Sequence, residues 1–571
     1  MPTPFPIVLR LLAALVAALS LLASFEARAD DADDSLDSAL NSALVSALVS
    51  DATSSVAEAV PVPDPVAVPV PALGAAPVTE PSSAAMQEPS PAPVPAPPDA
   101  TSDAPHLESL PTAGMLTAEP VHLSGGERMG LVGGALQFDI GGDWGIGPAV
   151  YGAVTGRRGG LFVGGVEVQR RWGLGGGFSL ATGLFAGGGG GAGAAVGSGL
   201  MLRPAVTVFK DFGQTFQLGL SFSSVRFPSG DIHSNQIGLA LGWHQEFMHF
   251  SGSGAIPNAS ALPSAGLGFD RIAATASTYR LRGDDTHKAG LLIGARAERR
   301  TGLRGFTWGI ESAAAARGNA AGYMEVLATA AYSVAPLDYE LPSWRVGARV
   351  AGGAGGGGAI PTGGGLLGKA ALTTEISPYP GWTVGADYGI ARSRNGSFRA
   401  SEAKAWLSLD LEPGLNSRTA AAAHVARTEW VATLQHHPRI PRTDGTARPL
   451  DTIGLKLNRY LGDHVYVSGQ AHSAFAGSAG AYSVGLVGLG VSAAPLSTVR
   501  VGIEALGGAA GGGGVTNAGG AIAQTMAWAA WQPGRVGEFR AGIGATRTVH
   551  GGHTGPVMEL SWGRAFGMAA R

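Results

Sequence analysis

Residues 216–227 read FQLGLSFSSVRF. Phe216, Leu218, Leu220 and Phe222 share one parity, while Gln217, Gly219, Ser221 and Ser223 share the other. Successive side chains of an extended strand point to opposite faces, so this stretch is a strand with one apolar face and one small or polar face. The same device recurs in NQIGLALGW, where Ile237, Leu239, Leu241 and Trp243 oppose Gly238, Ala240 and Gly242. In DTIGLKLNRY, Ile453, Leu455 and Leu457 are set against Lys456 and Asn458. From about Gly114 onward no 3.6-residue periodicity is sustained, and all eleven tryptophans lie there. That region reads as all-β.

The chain has 571 residues, 90 glycines, 36 prolines, no cysteine and a formal charge of −3. A charge so near zero argues against a nucleic-acid binder. The lack of cysteine removes disulfides, thiol catalysis and thiolate metal sites. At the N-terminus, Arg10 precedes LLAALVAALSLLA and then Ala27-Arg28-Ala29, which predicts a signal peptide over 1–29. No later run is apolar for the ~18 residues a spanning helix needs. Residues 30–59 carry an acidic start and leucines at 36, 40, 44 and 48, one apolar helical stripe. Residues 60–112 are rich in proline and alanine, an extended linker expected to act as a periplasmic tether.

Three glycine blocks begin at Gly187, Gly352 and Gly507. Setting Gly199 on Gly365 and Gly520 also brings Arg226 onto Arg392 and Arg547 without gaps. The β-region therefore divides into three repeats, over 113–265, 266–425 and 426–571. The repeat also disposes of a phosphate loop. GGGLLGKA (Gly363–Ala370) is one residue short of G-x-x-x-x-G-K-[ST], but Lys369 aligns with Arg203 and Gln524, and Ala370 lacks the hydroxyl. The glycines instead suit bulges, bends and close backbone approach in a curved sheet.

An exported, cysteine-free chain alternating over strands of about ten residues resembles bacterial outer-membrane β-barrel proteins. The resemblance implies an antiparallel transmembrane β-barrel of about 22–24 strands if the repeats close together, and one wide barrel is the expected form. Three separate eight-stranded barrels are the alternative, and a secreted glycine-rich β-protein a third reading. The final strand GPVMELSW is followed by GRAFGMAAR, which departs from the terminal aromatic of such barrels. The implied function is a pore or export conduit for small solutes or polymers in the outer membrane. A structural barrel anchoring a periplasmic partner and a lipid-modifying hydrolase are the alternatives. Expected partners are outer-membrane lipid, lipopolysaccharide and the barrel-assembly machinery.

The candidate pore or rim charges are Arg226, Arg392 and Arg547, with Glu167, Arg171, Glu325 and Glu504 on the inner wall. The arginines would attract anions or lipopolysaccharide phosphates, or else pair with Asp231, Glu402 and similar carboxylates. His233-Ser234-Asn235 is similar to the H-x-S-N signature of lipid A deacylase barrels but lacks the intervening residue, which puts His and Ser on opposite faces. Adjacent His436 and His437 likewise diverge, and His550 and His553 sit in a turn. No catalytic residue, metal or cofactor is expected.

Overall fold

The computed structural model describes residues 105–571 except 253, 257–265, 267–268, 282–289, 302, 319, 336–342, 380, 412–422, 518, 534–536, 552–553 and 571. The expected signal peptide, the leucine-striped segment and most of the expected proline-rich tether lie outside the described residues.

The alternating segments form strands, as pleated backbone with β-branched and aromatic side chains on one face should. In the first third these are β1 His106–His122, β2 Arg128–Gly141, β3 Trp144–Ala153, β4 Phe162–Gly175, β5 Phe178–Gly190, β6 Met201–Phe212, β7 Phe216–Arg226 and β8 His233–Ser251. Each pairs antiparallel with the next, and β8 returns to β1, with Leu239 opposite Ala118 and Ser251 opposite His106. Strand β1 takes in residues 106–112, which composition alone places in the linker.

A two-residue β9, Ala255–Ile256, lies in the connection that follows. The second ring comprises β10 Arg271–Leu281, β11 Leu291–Arg300, β12 Phe306–Ala315, β13 Met324–Val334, β14 Ser343–Gly356, β15 Leu366–Tyr379, β16 Trp382–Ser393 and β17 Arg399–Asp410. It closes with Arg271 opposite Asp410. The third comprises β18 Ala423–Pro441, β19 Ala447–Tyr460, β20 Val465–Ala476, β21 Ser483–Leu496, β22 Val499–Gly511, β23 Ala521–Trp531, β24 Glu538–Thr548 and β25 Thr554–Ala570. It closes with His436 opposite Met558 and His424 opposite Ala570. The GRAFGMAA tail thus extends the last strand.

The single wide barrel expected from the sequence is therefore replaced by three eight-stranded barrels. The reason is the closing seam. A spanning sheet must leave no edge N–H or C=O in lipid, and in each repeat the first strand satisfies the edge of the eighth. Eight strands are enough to enclose a layer of side chains, so nothing requires the rings to merge.

The barrels are inside-out relative to a soluble fold. Leu220, Ile237, Ile543 and Leu560 point outward and are 61%, 66%, 69% and 66% exposed, while Gln217, Ser221, Ser223, Lys456 and Asn458 point inward and are buried. In the first barrel one end carries the short turns 142–143, 176–177 and 213–215. The chain also enters β1 and passes between barrels at this turn end. The opposite, loop end carries the glycine blocks.

Those blocks join the barrels. Gly199, Gly365 and Gly520 occupy one equivalent position with φ of +96°, +95° and +94°. A Cβ there would lie 2.4 Å from the Ala474 carbonyl oxygen, 2.6 Å from that of Ala153 and 2.4 Å from that of Ala315. Each of these partners belongs to another barrel: the first barrel's block meets the third, the third's meets the second, and the second's meets the first. The order is cyclic. Backbone hydrogen bonds seal two of the junctions, Gly159 N–H to Gly363 O (2.8 Å) and Gly480 N–H to Gly197 O (3.2 Å). Only glycine meets both demands, left-handed φ and backbone at van der Waals range. At the turn end the first and third barrels also share edge-on rings, Phe138–Trp430 at 5.5 Å and Phe247–Phe566 at 4.8 Å.

Candidate functional site

Inward parity places polar residues of many strands at one level of each lumen. In the first barrel Glu119 and Arg203 form a bidentate pair at 2.8 and 2.9 Å, each side chain 1% exposed. Tyr151 bridges them to Glu167, receiving a bond from Arg203 at 3.2 Å and donating to Glu167 at 2.9 Å. Ser223 adds a 2.6 Å bond to Glu119. Arg171, nearer the turn end, donates to Gln169 and Gln217 at 3.0 Å each.

The second lumen is the most charged. Five cations (Arg271, Arg296, Arg349, Lys369 and Lys404) and six carboxylates (Glu298, Glu311, Glu325, Glu375, Asp387 and Glu402) are buried there, so charge nearly cancels. Lys369 bonds Glu325 at 2.6 Å and Glu402 at 3.0 Å. Arg349 bonds Glu298 at 2.6 Å, Arg296 bonds Glu311 at 3.2 Å, and Lys404 also pairs with Glu311. Tyr279 and Tyr323 both donate to Glu325, at 2.7 and 2.9 Å. The lysine of the near-miss phosphate motif is thus a lumen residue of β15, on a strand where a phosphate loop needs a helix N-terminus.

In the third lumen Lys456 lies between Glu504 (3.0 Å) and Glu559 (3.1 Å), and Tyr466 donates to Glu504 at 2.9 Å. A second layer joins Arg540 and Arg500 to Glu429, each at 2.6 Å.

Above each network, toward the loop end, lies an apolar layer. Val121, Leu161, Val196, Phe227 and Ile232 fill the first lumen, Ile360, Leu367 and Phe398 the second, and Ile440, Val515 and Ile522 the third. Loop residues such as Leu161, Ile360 and Val515 fold inward to complete it. The inward side chains of these networks and layers are mostly buried. A recess between His437, Tyr482 and Pro556 in the third barrel holds about 20 Å³, the volume of roughly one water.

Glu167, Glu325 and Glu504 therefore occupy three different lumens and are all bonded. Arg226, Arg392 and Arg547 lie elsewhere. Each is the last or next-to-last residue of strand seven of its barrel, paired alike with Leu202, Gly368 and Ala523. Their neighbours Val225, Ala391 and Thr548 face inward and are buried, so the arginines stand on the outer wall at the loop end. They form no lumen constriction, and the expected pairing with Glu402 fails because that carboxylate is inside, on Lys369.

His233 and Ser234 diverge as their parity requires: His233 is outward and exposed, while Ser234 is buried and its Oγ accepts the His122 amide at 2.9 Å. His436 is outward with Asp451 at 2.6 Å, and His437 is inward. His550 is exposed in the last loop, and His553 lies outside the described residues.

The networks themselves escape sequence reading. Glu119 and Arg203 are 84 residues apart, and Lys456 and Glu559 are 103 apart. Their local signal is only a charge on the polar parity of a strand, as in GLKL.

No family model matches this chain, and no curated protein matches it. Among solved structures it overlaps outer-membrane proteins of Pseudomonas aeruginosa. Outer membrane protein OpdK is 11% identical, with a TM-score of 0.21, over 80% of this chain and 99% of that one. OccK2 (OpdF), solved in complex with glucuronate, is 10% identical at 0.21, over 81% and 98%. OccK9 (OpdG) is 12% identical at 0.19, over 82% and 99%. The chain resembles outer-membrane β-barrel proteins, and its assignment as three transmembrane barrels rests on the closed pairing and the apolar exterior described above.

Proposed function

We propose that this chain is an outer-membrane protein whose three closed barrels serve as an anchor, holding the N-terminal segment on the periplasmic side. The observation that carries this reading is the filled lumen: a nearly neutral ion-pair network beneath an apolar layer in every barrel. Water and solutes have no path through such an interior unless both layers move. The short turns, the chain entry and the connections share one end, as the periplasmic side of such barrels does. The proline-rich segment, up to ~3.1 Å per residue when extended, then has the reach to meet a periplasmic partner.

A second reading, passage of small solutes, is favoured by the hydrophilic middle of the second lumen. Cations and carboxylates there alternate closely enough to exchange partners around an ion. Single-channel recording of the detergent-purified, refolded chain in a planar bilayer separates the two. Sustained silence supports the anchor; stable openings abolished by altering Lys369 or Arg296 would establish passage through the second barrel.

A further inference from the structure

The closing seam of the third barrel stops short of its loop end. Strand β18 pairs with β25 as far as His436 opposite Met558. Beyond that pair comes HPRIP (residues 437–441), where one extra residue between His437 and Ile440 bulges β18 against β19. Pro438 and Pro441 on β18 and Pro556 on β25 have no backbone N–H, which removes three donors from the ladder. The strands part there. The recess of about 20 Å³ between His437, Tyr482 and Pro556 lies at this gap, with exposed Arg439 and Thr516 at its edge.

The lining is rich in donors. His437 and Tyr482 are 4% and 1% exposed. Among the described residues no hydrogen bond occupies the Tyr482 hydroxyl or the His437 ring. Asn517 also lines the recess, and its side-chain nitrogen is buried without a partner. Buried polar groups are normally bonded, so three unbonded ones around one void mark a place for a guest. The local charge is positive. Arg442, 7% exposed, lies within Coulomb range of Tyr482. Its bonds run to the carbonyls of Gly477, Pro449 and Gly513 at 2.8, 3.3 and 3.4 Å, and its Nε has no partner. Asp444, the carboxylate that acts on it, is exposed and already holds Thr446 and Arg448.

We propose that this recess binds a small carboxylate. One carboxylate oxygen enters and accepts from the Tyr482 hydroxyl, the Asn517 amide and a ring N–H of His437. Arg442 supplies the balancing charge, and a short aliphatic chain rests on Pro441 and Pro556. Space selects the anion: a void for one water takes one oxygen, not the tetrahedron of a phosphate. A bare water would satisfy the donors but leave the arginine uncompensated. The site is at the loop end, opposite the short turns, and it stands whether or not a lumen conducts.

The test is saturation-transfer NMR on the full chain refolded in deuterated detergent micelles, with propionate as the probe. Propionate should bind with a millimolar Kd, about tenfold tighter than propionamide, its neutral isostere. Tyr482→Phe removes only the hydroxyl and Asn517→Ala only the amide, and each should weaken propionate about tenfold. Both variants are first shown to fold by heat-modifiable migration in gels. Equal binding of propionamide overturns the anion assignment, and affinity unchanged in either folded variant overturns the site. Displacement by millimolar phosphate refutes the size argument, while displacement by equimolar chloride overturns the carboxylate in favour of a halide. No transfer to propionate at tens of millimolar leaves a structural water and refutes the proposal.

Discussion

Replacing Lys456 by methionine asks whether the third lumen is as dry as its packing implies. The lysine is 1% exposed and is shared by Glu504 at 3.0 Å and Glu559 at 3.1 Å. Methionine fills a similar volume and removes only the charge, which leaves two buried carboxylates facing each other. Breaking a buried pair from one side costs about 3–5 kcal/mol. Each carboxylate keeps another donor, Tyr466 O–H on Glu504 and Gln435 amide on Glu559, both at 2.9 Å, so the lower end, ~3 kcal/mol, is expected. The assay is urea unfolding from lipid vesicles: the midpoint should fall while the slope holds. Adding Glu504→Gln and Glu559→Gln should restore most of the loss, because a neutral interior has nothing left to compensate. A loss below about 1 kcal/mol, the value of an exposed ion pair, would refute the reasoning. It would mean that water reaches the network.

Four further outcomes follow from the geometry. Leu220→Arg, on the outer wall, should cost about 2–4 kcal/mol at mid-bilayer depth, whereas a soluble exterior would tolerate it within about 0.5 kcal/mol. Gly152→Cys with Ala354→Cys should form a disulfide linking the first and second barrels, seen as a reduction-sensitive gel shift, since a Cβ at 152 lies 3.2 Å from that of Ala354. Gly365→Ala meets both a φ of +95° and the Ala153 carbonyl at 2.6 Å, so it should cost about 1–3 kcal/mol and suppress that cross-link. Phe398→Ala opens the apolar layer of the second lumen and should cost about 3–5 kcal/mol by the same urea assay.

The wall of each barrel was legible in the sequence because side-chain parity is a local property. FQLGLSFSSVRF sorts its outward and inward residues correctly from the alternation alone. Closure was not legible. Whether β8 pairs with β1 or with the next repeat depends on hydrogen bonds between residues as distant as His106 and Ser251. One clue was present: the connections after Ser251 and after Asp410 are longer than the hairpin turns and rich in Pro, Gly, Ser and Asn, as linkers between closed units are. The glycine blocks were readable as backbone devices, but the surface they press against belongs to a different barrel. The arginine positions were found by repetition, while their side of the wall required the register.

The cyclic order of the glycine junctions has a consequence for how the three lumens differ. A head-to-tail contact that closes after three is the geometry of a homotrimer, in which every subunit must carry the same interior. Here the ring is one polypeptide, so its stoichiometry is independent of protein concentration and its members are free to diverge. Position 203 of the first barrel holds Arg on Glu119, the equivalent Lys369 holds Glu325 and Glu402, and the equivalent Gln524 carries no charge. Threefold in backbone, the ring is asymmetric in chemistry, and one lumen is able to acquire a task while the other two keep the assembly standing.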